Sequence, residues 1–204
     1  ITRDTWQSII KLLKQKLNTK SKPRKNIKRY SGMSKSKIPV LYEEKKEFNG
    51  IINYIRTKSD DDLTKSINVT SSLDKAFNPS NVFIYNDQTK YFLSENKPGT
   101  FICFDFQDSK VIPTNYTIRS APYDGGAHPK SWVIEASNDN DNWDVIDTQN
   151  NCSYLNGLSF VHTFAIENDN EKEFRYIRMR QTDQSFAINN YLRIESFELY
   201  GFLL

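Results

Sequence analysis

Ser131 to Asp147 reads SWVIEASNDNDNWDVID, and this stretch decides the fold. Trp132 to Ala136 is a short, largely apolar run of the kind that forms a strand. Ser137-Asn138-Asp139-Asn140-Asp141-Asn142 then turns the chain. Asn and Asp suit such turns because they tolerate left-handed backbone and hydrogen-bond to nearby main chain. Trp143 opens the return strand and is expected to fold back as a hydrophobic anchor across the hairpin.

Working outward, the same kind of run recurs on both sides: SINVTSSL, FICFDF and NYTIRS before the hairpin, VHTFAI, RYIRMRQ and RIESFELYG after it. Each is short, rich in Val, Ile, Thr, Tyr and Phe, and bounded by turn residues. Aromatic residues make up 13% of the 204-residue chain, with 13 Phe and 11 Tyr, and these types favour strands. Few helical patterns intervene, which argues against a parallel βαβ arrangement and for an antiparallel sandwich. Ile51, Ile52 and Ile55 predict one short amphipathic helix, closed by Asp60-Asp61-Asp62. Phe104, Ile134, Tyr176, Ile177 and Phe197 are expected in or beside the core.

The beginning of the chain is a different object. Residues 1–46 hold 14 of the 28 Lys and Arg but only Asp4, Glu43 and Glu44 among the acids, so they carry +11 while the remainder carries −8. Trp6, Ile9, Ile10, Leu13 and Leu17 recur at helical spacing after a capping Asp4, a single stripe assigned to the tail of an upstream domain over residues 1–17. Residues 18–45 read as a basic flexible linker. Its KPRKNIKR cluster offers a footprint for nucleic acid or an anionic surface, but Tyr30 alone interleaves with it, so a solvated tether is the preferred reading. Residues 46–204 make the globular module, large enough to bury a core without disulfides or metal.

The order W-x-I-x-x-S-N-D-x-x-x-W resembles the signature hairpin of the factor V/VIII type C, or discoidin-like, domains. FRYIRMRQT and IESFELYG resemble that family's last core strands, and FICFDFQDSKVIPTNYTIRS its strand pair before the hairpin. The resemblance implies an all-β, eight-stranded jelly-roll sandwich, galactose-binding-domain-like, with ligand loops at one end. FNGIINYIRTK (Phe48 to Lys58) is similar to the opening of the intracellular variant that follows BTB–BACK or ankyrin-type regions. The chain departs from that variant where Ser59-Asp60-Asp61-Asp62 replaces a Gly-Gly-Asn turn.

Catalysis finds no support. His128 and His162 have no partner at ligand spacing, and neither a phosphate-binding Gly loop nor a nucleophile elbow occurs. No cofactor is expected. No metal is expected either: at the position where sugar-binding relatives of the resembled family carry a calcium-liganding Glu, this chain has Ser196, with Glu195 next to it. No apolar run is long enough to span a membrane. Two cysteines without a framework, Cys103 and Cys152, favour a reducing compartment, and three glycosylation sequons, at Asn68, Asn115 and Asn151, do not decide it.

Binding is expected at the loop end, where Tyr85, Arg119, Tyr123, His128 and Phe186 combine aromatic area with fixed donors. In carbohydrate-binding relatives an Arg after the corresponding strand bonds sugar hydroxyls and an aromatic of the last loop stacks on the ring; Arg119 and Phe186 match these places. The plainer alternative is that the aromatics cap the sandwich and Arg119 pairs with an acidic neighbour. Two functions compete: a cytoplasmic protein-interaction domain with a protein partner, which the intracellular resemblance favours, and a carbohydrate-binding module on a secreted or surface protein.

Overall fold

The computed structural model describes residues 36–59, 62–72, 78–123, 125–168 and 170–204. The expected helix around Trp6, the linker as far as Lys35, and Asp60, Asp61, Phe77 and Asp124 lie outside them. Ten strands occur among the described residues: β1 (Ile38–Val40), β2 (Asn68–Ser71), β3 (Phe92–Leu93), β4 (Phe101–Asp105), β5 (Val111–Ser120), β6 (Trp132–Ser137), β7 (Asp144–Gln149), β8 (Val161–Ala165), β9 (Tyr176–Gln181) and β10 (Arg193–Leu203). Helix α1 (Ile51–Lys58) joins them. Every pairing is antiparallel. The first sheet runs β1-β10-β5-β8 with β3 also on β10; the second runs β2-β4-β9-β6-β7. This is the all-β jelly-roll sandwich, its eight longer strands supplemented by the short β1 and β3.

Strand alternation puts one set of side chains between the sheets. Ile102 and Phe104 of β4, Trp132 and Ile134 of β6 and Ile177 and Met179 of β9 face Tyr116 and Ile118 of β5 and Phe197 and Leu199 of β10, all fully buried. Phe104 stacks on Phe197 at 4.6 Å, and Tyr116 on Phe164 at 5.0 Å. The Trp132 indole donates from Nε1 to the Tyr116 hydroxyl at 3.0 Å, which donates onward to Asp147. The one polar edge of each large ring is thereby satisfied inside the core.

Three expectations need correction. Trp143 is not a core anchor. Ala136 pairs with Asp144, so the preceding Trp143 stands opposite Ser137, on the outer side with Glu135, and the Arg178 guanidinium lies 3.8 Å from its ring centroid. The turn length sets this parity, and Asn140 supplies the left-handed residue it needs, at φ 63°. β4 and β5 are not a pair within one sheet; the turn at Gln107, φ 53°, carries the chain from the second sheet to the first. The sandwich also begins before residue 46, because Ile38 to Val40 pair with Leu203 to Gly201. Three residues beside a lysine-rich stretch carry too little pattern to read as a strand.

The outer side of the first sheet is covered rather than exposed. Ile51, Ile52 and Ile55 of α1 are buried, as expected, in one cluster with the residues between the sheets. Gly50 sits so close that a Cβ would come 2.3 Å from the Leu199 carbonyl oxygen, which only glycine permits. The carboxylate of Glu198, itself buried, accepts from Ile52 N at 2.9 Å and Asn53 N at 3.1 Å. It thus caps the first turn of α1, whose own N-cap residue makes no side-chain bond.

Candidate functional site

The loop end is built where β5 leaves the first sheet and β10 enters it. The pairing of β10 with β5 slips between Ile194 and Ser196, and this bulge re-aims Glu195. Its fully buried carboxylate accepts from Arg119 Nη1 at 2.8 Å and from Ser159 Oγ at 3.3 Å. The same Arg119 nitrogen donates to the Tyr85 carbonyl at 3.0 Å, and the guanidinium lies 4.3 Å from the Phe48 ring centroid. Tyr85 packs on Phe48 at 4.8 Å, and its hydroxyl reaches Glu198 Oε2 and the Phe197 carbonyl, each at 3.0 Å. Burial, with the neighbouring Glu198, pushes the Tyr85 phenol far above its ordinary value of 10.0. Its ring lines a cleft of about 430 Å³ with Asn53, Arg56, Phe83, Ile84 and Asn86.

Two other loops complete this end. Tyr123 is 42% exposed and rests against Tyr91, ring centroids 4.9 Å apart. The Phe186 N–H donates to the His128 carbonyl at 3.3 Å. Gly126 lies beside Ala187, since a Cβ on it would meet the Ala187 Cβ at 3.5 Å. So the structure joins Tyr85 to Arg119 and His128 to Phe186, and sets Tyr123 on Tyr91. His128 is buried, Phe186 half-buried and Tyr123 exposed. The Arg119 charge is committed to Glu195. Pairing of Arg119 with an acidic neighbour was the plainer alternative from the sequence; that the neighbour is Glu195, and that Ser159 and Phe48 join it, was not read.

Among the described residues no three His, Cys, Asp or Glu side chains gather to hold a metal ion. Cys103 and Cys152 are both free and buried, and burial pushes the Cys103 thiol up to about 12. Buried thiols of this kind are inert, so their being unpaired does not specify a reducing compartment.

No family model matches the chain. A curated relative, the E3 ubiquitin-protein ligase Ufd4 of Drosophila melanogaster, is 29% identical over 94 residues, which are 45% of this chain but 3% of that protein. Solved structures share the fold. A Clostridium perfringens module, CpGH89CBM32-5, in complex with GalNAc-β-1,3-galactose, superposes with a TM-score of 0.52 at 8% identity, over 66% of this chain and 95% of that one. A chitosan-binding module from a Paenibacillus chitosanase/glucanase gives 0.51 at 20% identity, over 67% and 96%. The family 32 module of C. perfringens NanJ, in complex with galactose, gives 0.50 at 8% identity, over 66% and 93%.

The chain therefore has the discoidin-like, galactose-binding-like fold of carbohydrate-binding modules. These neighbours correct the expectation of a cytoplasmic protein-interaction domain with a protein partner. They are carbohydrate-binding modules, two of them in complex with sugars.

Proposed function

We propose that the chain is a non-catalytic carbohydrate-binding module of a secreted or surface protein, reading galactose-type sugars at its loop end. The observation that carries the reading is Tyr123, an exposed ring backed by Tyr91 and standing on the same loop as Gly126, which adjoins the Phe186 loop. An exposed, backed ring beside a second half-buried one suits the apolar face of a pyranose, and fixed polar groups orient it. In this reading Tyr123, Phe186 and Arg119 contact the sugar. Tyr85 and His128 position them, through the Tyr85 carbonyl on Arg119 and the His128 carbonyl on Phe186. The ligands named for two of the fold neighbours, GalNAc-β-1,3-galactose and galactose, support the substrate class, while the third is a chitosan-binding module. The proposal leaves aside the BTB–BACK or ankyrin-linked variant, on which the cytoplasmic assignment rested.

A glycan array on residues 36–204, followed by calorimetric titration of the best galactose-type hit, tests the reading. Tyr123→Ala and Phe186→Ala are expected to weaken binding about tenfold each with the melting temperature of Tyr123→Ala unchanged. Arg119→Ala is a poor probe, because it strands the buried Glu195 carboxylate and destabilises the fold. An array on which no saccharide binds ends the proposal.

A further inference from the structure

Thr148 to Ile166 contains no Asp, Glu, Lys or Arg, in a chain that is 26% charged. Yet this stretch, the β7–β8 loop and the edge strand β8, holds four of the nine large apolar side chains exposed among the described residues: Tyr154, Leu158, Phe160 and Val161. Two of them are rings held from behind. Tyr154 is 61% exposed, and one face stacks on His162, centroids 4.0 Å apart and planes 8° from parallel. His162 in turn meets Phe164 edge-on at 4.6 Å. Phe160 is 51% exposed and lies on Gly157 so closely that a Cβ there would come 2.6 Å from the ring carbons.

The backbone under the rings is pinned. Leu155 is buried between them in sequence. Cys152 N–H donates to the Lys130 carbonyl at 2.8 Å, Ser120 N–H to the Phe160 carbonyl at 2.9 Å, and Phe160 N–H to Ser120 Oγ at 2.9 Å. Ring faces fixed in this way need no ordering when they bind.

We propose that Tyr154 and Phe160 form a second platform that binds the CH-rich faces of neutral pyranose units; the inference rests on the carbohydrate-binding reading. Neutrality follows from the charges. The loop has none of its own, and Ser159, next to Phe160, reaches only Glu195, whose charge Arg119 already balances. A uronate or sulfate finds no unpaired cation on this loop. Exposed Ser153 and Asn156 supply neutral donors and acceptors beside the rings. Ser159 also ties the platform to the Arg119 end of the module through the buried Glu195. The competing occupant is a second copy of the chain pairing along the β8 edge.

The test titrates the full chain with galactose, N-acetylgalactosamine, cellotetraose, chitotetraose and tetramannuronate while backbone amide shifts are followed by NMR. Tyr154→Ala, Phe160→Ala and Tyr154→Trp are compared with wild type. A neutral saccharide is expected to shift amides of residues 153–161. Each alanine variant should bind about tenfold more weakly, and Tyr154→Trp should bind as wild type. Shifts confined to residues 121–130 and 183–191, with alanine variants binding normally, overturn the platform and leave the carbohydrate reading standing. Preference for tetramannuronate overturns the neutral class. Binding of none of these sugars, on a protein also silent on the glycan array, overturns both readings. Sedimentation showing a dimer that Phe160→Ala abolishes assigns the patch to self-association and overturns the platform.

Discussion

The two outer faces of the sandwich use the same groups, carboxylates, arginines and aromatic rings, to opposite ends. On the first sheet they are buried: Glu198 caps α1 and receives the Tyr85 hydroxyl, while Tyr200 accepts from Phe48 N at 2.9 Å. On the second sheet they form a ladder in which the carboxylates lie under part-exposed arginines. Glu135 takes Arg178 at 2.6 Å and Arg180 at 2.7 Å, Arg178 lies on Trp143, and Asp105 takes Arg175 through two bonds at 2.7 and 2.9 Å. The buried set fastens the segment before β2 to the sheet. The second set holds only its own neighbours, and its arginines, more than its carboxylates, meet the water that screens it.

If that contrast is right, removing a carboxylate from the covered face has the larger effect. Glu198→Ala leaves the amides of Ile52 and Asn53 without an acceptor and takes one of two acceptors from the Tyr85 hydroxyl, and is expected to cost about 3–5 kcal/mol. Urea denaturation measures the loss, and hydrogen exchange at Ile52 and Asn53 should rise with it. A cost under about 1 kcal/mol would mean that α1 is held by its apolar face alone.

The two tryptophans of one hairpin sharpen the comparison. Trp132→Ala empties a fully buried site and should cost about 3–5 kcal/mol. Trp143→Ala removes a ring from the outer face, where its partners are Arg178 and, at 6.5 Å, Tyr176; about 1 kcal/mol is expected. Equal melting shifts for the two variants would contradict the register that places Trp143 outside.

How much of this was legible in the sequence depends on the range of the cause. The hairpin, the helix at Ile51, Ile52 and Ile55, and the eight longer strands along the chain are local patterns of period and turn chemistry, and they appear as read. Asp139 illustrates this: it accepts from Asn142, Asp141 and Ser137 within its own turn, which holds its carboxyl well below the usual range. The side on which Trp143 falls depends on how that turn is wound, and composition does not encode it. The fate of Arg119 was less visible still. Glu195 reaches it only because β10 bulges at one residue, and Tyr85 meets Glu198 across more than a hundred residues. The aromatic richness of the loop end was readable. Which rings are backed and exposed, as Tyr123 is, or turned inward, as Tyr85 is, required the fold.

The smallest effect is also the one with opposite signs on the two faces. Burial raises the Glu198 carboxyl above its ordinary 4.5, against the bonds it accepts from Leu199, Ile52, Asn53 and Tyr85. A raised folded value means that its contribution is complete below 4.5 and is lost as the pH climbs through that raised value. Glu135 behaves in reverse. Burial pushes it up, but the bonds from Arg180 and Arg178 outweigh burial and leave it below 4.5. Asp105, with Arg175, likewise lies below 3.8. Their contribution is complete above those ordinary values and is lost as the pH falls through the lowered ones. Urea unfolding from about pH 3 to pH 8 should therefore show two slopes. The difference between wild type and Glu198→Gln shrinks with rising pH above 4.5, and that between wild type and Glu135→Gln shrinks with falling pH below 4.5. Added salt should narrow the Glu135 difference more than the Glu198 one, since the arginines that hold Glu135 are part-exposed whereas Glu198 is fully buried. Slopes of the same sign for both variants would show that the two faces share one electrostatic environment, and the comparison between them would fail.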